Sequence, residues 1–187
     1  MVFIEIQNLS ELEKEKNWKK AIYLLKNKWN ENKDDVEVIL RLATECWYLM
    51  SNWEFLCLEN SDLDFQNVQN TLIETYNYFI KHCKNDNKGL AIFGYMISLF
   101  PNYFYTDKDN EGKLFLEYEN IGKGMLKSAY ENEPKNILYK TLYLGTTNCP
   151  NKAIDDAKHE LNKIIQNLFP QNTEIEEYFK EILQNES

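Results

Sequence analysis

The stretch Asp35-Val36-Glu37-Val38-Ile39-Leu40-Arg41-Leu42-Ala43-Thr44-Glu45-Cys46-Trp47-Tyr48-Leu49-Met50 decides the fold class. Val38, Ile39, Leu42, Ala43, Cys46, Trp47 and Met50 recur at steps of three and four, the spacing of one helix face. The apolar arc is broad, which predicts a buried inner helix. The same period continues upstream. Ser10-Glu11-Leu12-Glu13 reads as a capping box, in which the hydroxyl and the third-position carboxylate satisfy free backbone N–H groups. From there Leu12, Trp18, Ala21, Ile22, Leu25 and Trp29 form one amphipathic stripe, closed by the polar turn at residues 30–35.

Downstream, Ser51-Asn52 breaks the pattern, a short helix is expected at residues 53–58, and Asn60-Ser61-Asp62 reads as a turn. Residues 64–83 carry Phe65, Val68, Leu72, Ile73, Tyr76, Phe79 and Ile80 on one side of a long helix. Another apolar run, 90–100, stops at Pro101, which cannot continue a helix interior. Residues 102–112 are the longest irregular stretch. Helices then resume at 113–132, 135–146, 152–168 and 173–183, with Pro134, Pro150 and Pro170 beside their boundaries. The expectation is a single all-α domain over 1–187, of eight to nine helices paired as antiparallel hairpins in a stack or bundle.

Composition agrees with this. At 43% hydrophobic and 14% aromatic residues, the chain is too apolar for a disordered one. Six Gly and four Pro are too few for an all-β fold, which turns every ten residues or so. The net charge of −9 and the pI near 4.9 argue against nucleic-acid binding, which needs cations to displace counterions from phosphates. Arg41 is the sole arginine, whereas arginine is the usual bidentate reader of phosphate and guanine. An acidic surface suits a basic protein partner instead. Cys46, Cys57, Cys83 and Cys149 are widely spaced without a CxxC pair, and only His82 and His159 accompany them. That spacing does not suit zinc and predicts buried free thiols in a reducing compartment. The N-terminus lacks the basic and small-residue regions of a signal peptide, and no run approaches the ~18 apolar residues of a membrane span. A cytoplasmic location is expected.

Two stretches resemble tetratricopeptide repeats. Trp18 and Ala21, three apart, look like the opening of that family's second helix, with Val38, Leu42, Ala43 and Cys46 beginning the next repeat. Gly122, Leu126, Ala129 and Pro134 match the family's small–aliphatic–Ala–Pro spacing, and Ile137, Tyr139, Tyr143 and Leu144 would open the following helix. The matching stretches cover about a third of the chain, and the period of roughly 34 residues is not sustained. The resemblance implies helical hairpins that bind other proteins. In size, charge and helical build the chain is also similar to immunity proteins of bacterial toxin systems, which bind a toxin domain, often basic, and block it.

Local motifs give few chemical sites. Asp107-Lys108-Asp109-Asn110-Glu111-Gly112 resembles the front half of an EF-hand loop, but the closing Glu would fall at Tyr118. A solvated turn with a helix start is the expectation there. Gly122-Lys123-Gly124 lacks the order and the preceding strand of a phosphate loop. His82 and Cys83 are adjacent, so on a helix their side chains diverge by about 100°. No nucleophile–base arrangement stands out, and no cofactor or metal is expected. Among the aromatics, Tyr76, Tyr78 and Tyr95 join the central cluster, while Phe79, Phe93 and Phe100 read as core. Tyr103-Phe104-Tyr105 is different, because three consecutive aromatics in a loop cannot all point inward. With Asp107, Asp109 and Glu111 beside them, they form the candidate partner-binding residues, aromatic anchors next to negative charge.

The expected function is therefore non-catalytic binding of another protein, with masking of a basic toxin domain as the leading form. A helical adaptor or secretion chaperone is the alternative. A metal-dependent helical enzyme stands behind both, since the chain has no Glu-x-x-His motif of the bundle-core kind.

Overall fold

Short polar side chains set where many of the helices begin. The computed structural model describes residues 3–184 apart from Lys108, Asn148, Asn172 and the side chain of Asn60. Its helices are α1 (Leu9–Lys14), α2 (Trp18–Glu31), α3 (Val36–Ser51), α4 (Phe65–His82) and α5 (Asn87–Leu99). They continue as α6 (Glu111–Asn132), α7 (Ile137–Gly145), α8 (Asn151–Asn162), α9 (Ile165–Leu168) and α10 (Glu174–Gln184). No strand occurs among the described residues. The Asp35 carboxylate accepts the N–H groups of Glu37 (3.1 Å) and Val38 (3.3 Å) to start α3. Asp64 accepts Asn67 N–H (2.8 Å) for α4, and Asp86 accepts Gly89 N–H (2.7 Å) for α5. Each satisfies donors that the first helical turn leaves free.

The fold is all-α, as its periodicity implies, with ten α-helices among the described residues where eight to nine are expected. Two of the differences share a cause. The first stripe is not one helix: α1 ends where Lys16 takes a left-handed conformation (φ 55°). Asn17 N–H then reaches Leu12 O (2.8 Å) and Lys16 N–H reaches Glu13 O (2.9 Å), the Schellman closure of a helix end. Nor is there a helix at 53–58. Cys57 (φ 53°) closes a single turn in the same way, with Leu58 N–H on Trp53 O (3.0 Å) and Cys57 N–H on Glu54 O (3.0 Å). Both stops use a side-chain-bearing residue where glycine is the usual signal. The single helix expected at 152–168 is also split, into α8 and α9, where the chain tightens at Lys163 and Ile164. The capping box does not form either. Asn8 stands at the N-cap without a side-chain bond, and Glu13 turns into the protein.

Helix α3 is buried from Val38 to Met50, charged residues included. Helices α2 and α4 flank it, α5 pairs with α6, α6 with α7 and α7 with α8, while α3, α5 and α7 neighbour one another in series. This is an array of antiparallel hairpins. The α5–α6 pairing is backbone to backbone: a Cβ on Gly122 would come within 2.7 Å of Ser98 N and 2.9 Å of Gly94 O. Only glycine permits that approach. Helix α10 then folds back onto α3 and α8. Its Phe179 stacks on Trp47 (6.0 Å), lies near Tyr95 (6.1 Å), and meets Phe3 of the N-terminal segment (5.8 Å). Phe3 and α10 are thereby held beside the inner helix α3. No helix among the described residues is long and apolar enough to cross a membrane.

Candidate functional site

Pro101 ends α5 and turns the chain into a short 3-10 turn, Pro101–Phe104, rather than an open loop. The three consecutive aromatics then part ways. Phe104 goes inward, 1% exposed, with its ring edge-on to Tyr76 (5.5 Å). It is a core residue, which corrects the expectation that it presents a ring to a partner. Tyr103 stacks on Phe100 (5.0 Å, 7° between planes) and donates its hydroxyl to Met50 O (3.3 Å). Tyr105 sits against Tyr118 (5.4 Å) and donates to Glu111 O (3.3 Å). Both tyrosines are half-buried, and burial raises the pKa of each above the ordinary tyrosine value.

One residue that periodicity alone did not single out holds this segment in place. Gln69 of α4, nine-tenths buried, donates its side-chain N–H to Asn102 O (3.2 Å) and Tyr105 O (3.1 Å). Its place in the sequence carried a signal. It stands four after Phe65 and three before Leu72, on the apolar stripe, where a buried amide requires partners.

Beyond the turn, Asp107, Asp109 and Glu111 are all exposed, and Lys108 lies outside the described residues. Asp107 accepts Asp109 N–H (3.0 Å) and the Asn110 side-chain amide (2.8 Å). Those donors, the Asn110 amide first, hold its carboxyl below the ordinary aspartate range. The segment is not a calcium loop of EF-hand length, because α6 already begins at Glu111, the fifth position of the motif. Tyr118, where the closing Glu would stand, is occupied by aromatic packing against Tyr76 and Tyr105. Tyr103, Tyr105, Asp107 and Glu111 meet at one cleft of about 250 Å³ with Phe65 and Gln69 of α4. Asp109 stands outside it. Of the six candidate residues, the fold thus brings four together, places one beside them and buries one.

A second charged cluster was not foreseen as a unit. Arg41 bridges Glu13 of α1 and Glu45 of α3, the latter at 2.7 Å, and both carboxylates are fully buried. Among the described residues, Glu13 Oε2 and Glu45 Oε1 have no hydrogen-bond partner. Burial pushes the Glu13 carboxyl up to about 8 despite Arg41, with Glu45, Glu174 and Glu176 adding to the rise. Glu45 is raised for the same first reason. Two buried carboxylates facing one guanidinium favour holding a proton between them. Paired carboxylates are also the material of acid–base catalysis; here both are buried, and Glu13 and Arg41 lie at the floor of a cleft of about 290 Å³ lined also by Ser10, Gln171 and Thr173. The pair braces α1 against α3, with Arg41 also 5.8 Å from the Phe3 ring. The legible trace was an Arg and a Glu four apart inside an otherwise apolar helix.

Elsewhere, His82 ends α4 and stacks on Tyr78 (4.4 Å), whose hydroxyl donates to Asp34 (2.7 Å), and His159 is exposed on α8. Among the described residues no group of three His, Cys, Asp or Glu side chains is placed to hold a metal. All four cysteines are free, but only Cys46 is buried; Cys57 is exposed because it forms the left-handed turn described above. Tyr23 (68% exposed) and Phe55 (83%) are surface aromatics that the sequence reading passed over. Tyr23 also lines an open groove between α2 and α4. No protein-family model matches the chain, and neither a curated protein nor a solved structure matches it.

Proposed function

We propose that this chain is a non-catalytic binding protein whose segment 101–111 docks on a basic protein. The observation that carries the reading is the cleft itself. Two tyrosines and two carboxylates from one short segment converge on α4, and the described residues that line the cleft include no Lys or Arg. Interfaces favour tyrosine because it combines apolar area with a polar tip. The net charge of −9 would steer a cationic partner to such a surface. The form we favour is an immunity protein that masks a basic toxin domain by covering it. Its hairpin array would then be of the tetratricopeptide-like kind, and the protein would act in the cytoplasm. Masking asks for no chemistry of its own, which agrees with charged groups that are either buried or arranged on the surface.

The test is capture of partners from a lysate of the protein's own source, at low and at high salt. One stoichiometric basic protein, released as salt rises, is the expected result. Several partners, or one that salt does not release, would favour an adaptor or chaperone. No partner at either salt contradicts docking.

A further inference from the structure

The cleft between α4 and segment 101–111 has a size and a wall chemistry that select its occupant. Its volume of about 250 Å³ lies below the roughly 300–1,000 Å³ of pockets that hold cofactors and drug-sized ligands. It suits a single side chain. Phe65, Tyr103 and Tyr105 supply three aromatic walls, and Asp107 and Glu111 supply two exposed carboxylates. Rings with negative faces beside carboxylates attract a cation and disfavour an anion.

The cleft is also built in advance. Gln69 ties the carbonyls of Asn102 and Tyr105 to α4, and the Tyr103 hydroxyl is tied to Met50 O. Asp107 is held by two donors from its own turn. Phe65 is braced by Trp53 (5.1 Å, edge-on), and Tyr103 by Phe100 on one ring face. Groups already fixed lose little freedom when a ligand arrives, so the interaction is not consumed by ordering them.

We infer that this cleft is a socket for one cationic side chain, arginine or lysine, presented by the partner. The inference rests on the reading of this segment as a docking surface, and it makes a claim that reading does not. The occupant lies against Phe65, Tyr103 and Tyr105, the first two of which pack edge-on to each other at 6.3 Å, and places its charge toward Asp107 and Glu111. Arginine binds more tightly than lysine, because a planar guanidinium stacks on rings and reaches a carboxylate with two parallel bonds. Asp109 lies outside the cleft and takes no part.

The experiment is an NMR titration of the intact chain with three capped tripeptides, Gly-Arg-Gly, Gly-Lys-Gly and Gly-citrulline-Gly. Citrulline keeps the shape of arginine without its charge. The Gln69 side-chain amide and the Tyr103 and Tyr105 amides should shift with the Arg and Lys peptides. Citrulline should bind about tenfold more weakly, the effect of losing a cation–π and charge contact of ~1–1.5 kcal/mol. Asp107→Asn with Glu111→Gln should weaken the Arg peptide by a similar factor, and Asp109→Asn by less than about twofold. Equal binding of citrulline and arginine overturns the socket, as does an equal loss from Asp109→Asn, which would reduce the effect to net charge. Failure here is separable from failure of docking. A basic protein captured through this face, with the Arg peptide leaving the cleft resonances unmoved, removes the socket and keeps the docking surface. Arg-peptide shifts confined to the cleft, without any basic protein captured, keep the socket and remove the docking reading.

Discussion

Two pairs of carboxylates in this molecule meet opposite fates. Glu13 and Glu45 lie buried on either side of Arg41, and burial drives both carboxyls above the ordinary range. Asp107 and Glu111 stand in water at the rim of a cleft, and local N–H donors pull Asp107 below it. The interior pair makes its contacts within the chain, and removing its counter-ion should strongly destabilise the fold. The rim pair adds little to folding and keeps its charge available to something outside. The difference teaches that charge here is divided between a brace and a surface, and that water access decides which role a carboxylate takes.

The largest expected effect tests the brace. Arg41→Met leaves two buried carboxylates without a cation and should cost about 3–5 kcal/mol, read from the urea midpoint. Replacing Glu13, Arg41 and Glu45 together by apolar residues of like volume should recover most of that loss. A single Arg41→Met change of under about 1 kcal/mol would show that the cluster is solvated after all.

The pH dependence sharpens the contrast. An unfolded glutamate ionises near 4.5, whereas Glu13 in the folded chain titrates near 8. Between those values the folded state holds the extra proton, so stability falls as pH rises and levels off above about 8. Glu13→Gln should make that slope shallower, with Glu45 supplying what remains, in urea unfolding at pH 5, 6.5 and 8. A wild-type slope unchanged in Glu13→Gln would place the titration elsewhere. At the rim, Asp107→Asn should leave the urea midpoint nearly unchanged near neutral pH.

The smallest expected effect concerns the end of α1. Lys16 holds a left-handed conformation that costs a side-chain-bearing residue about 1 kcal/mol or more, and Lys16→Gly should return part of it. A lower urea midpoint for Lys16→Gly would contradict the Schellman closure of that helix.

Much of the fold was legible because hydrophobic period is a local signal. Val38 to Met50, the helix starts near Asp35 and Asp64 and the stop at Pro101 all follow from neighbours in sequence, whereas the cap at Asp86 reads as loop. What was not legible depends on partners far along the chain or on missing glycine. The helix ends at Lys16 and Cys57 carry no Gly, so the first stripe reads as unbroken. Glu13 matches a capping box until Arg41, 28 residues away, claims it. In the candidate site, sequence reasoning placed the aromatics and the charge but not which ring turns inward. That choice falls to Phe104 because the pocket beside Tyr76 is built by α4, and the tie that holds the segment, Gln69, comes from the same helix.

The most direct test of docking is a parallel capture with two baits, the wild-type chain and its Asp107→Lys, Asp109→Lys, Glu111→Lys variant. Both should unfold at closely similar urea concentrations, since the rim adds little to stability. The wild type should retain a basic protein at low salt that the variant does not. Retention of the same proteins by both baits would contradict the docking role assigned to this segment.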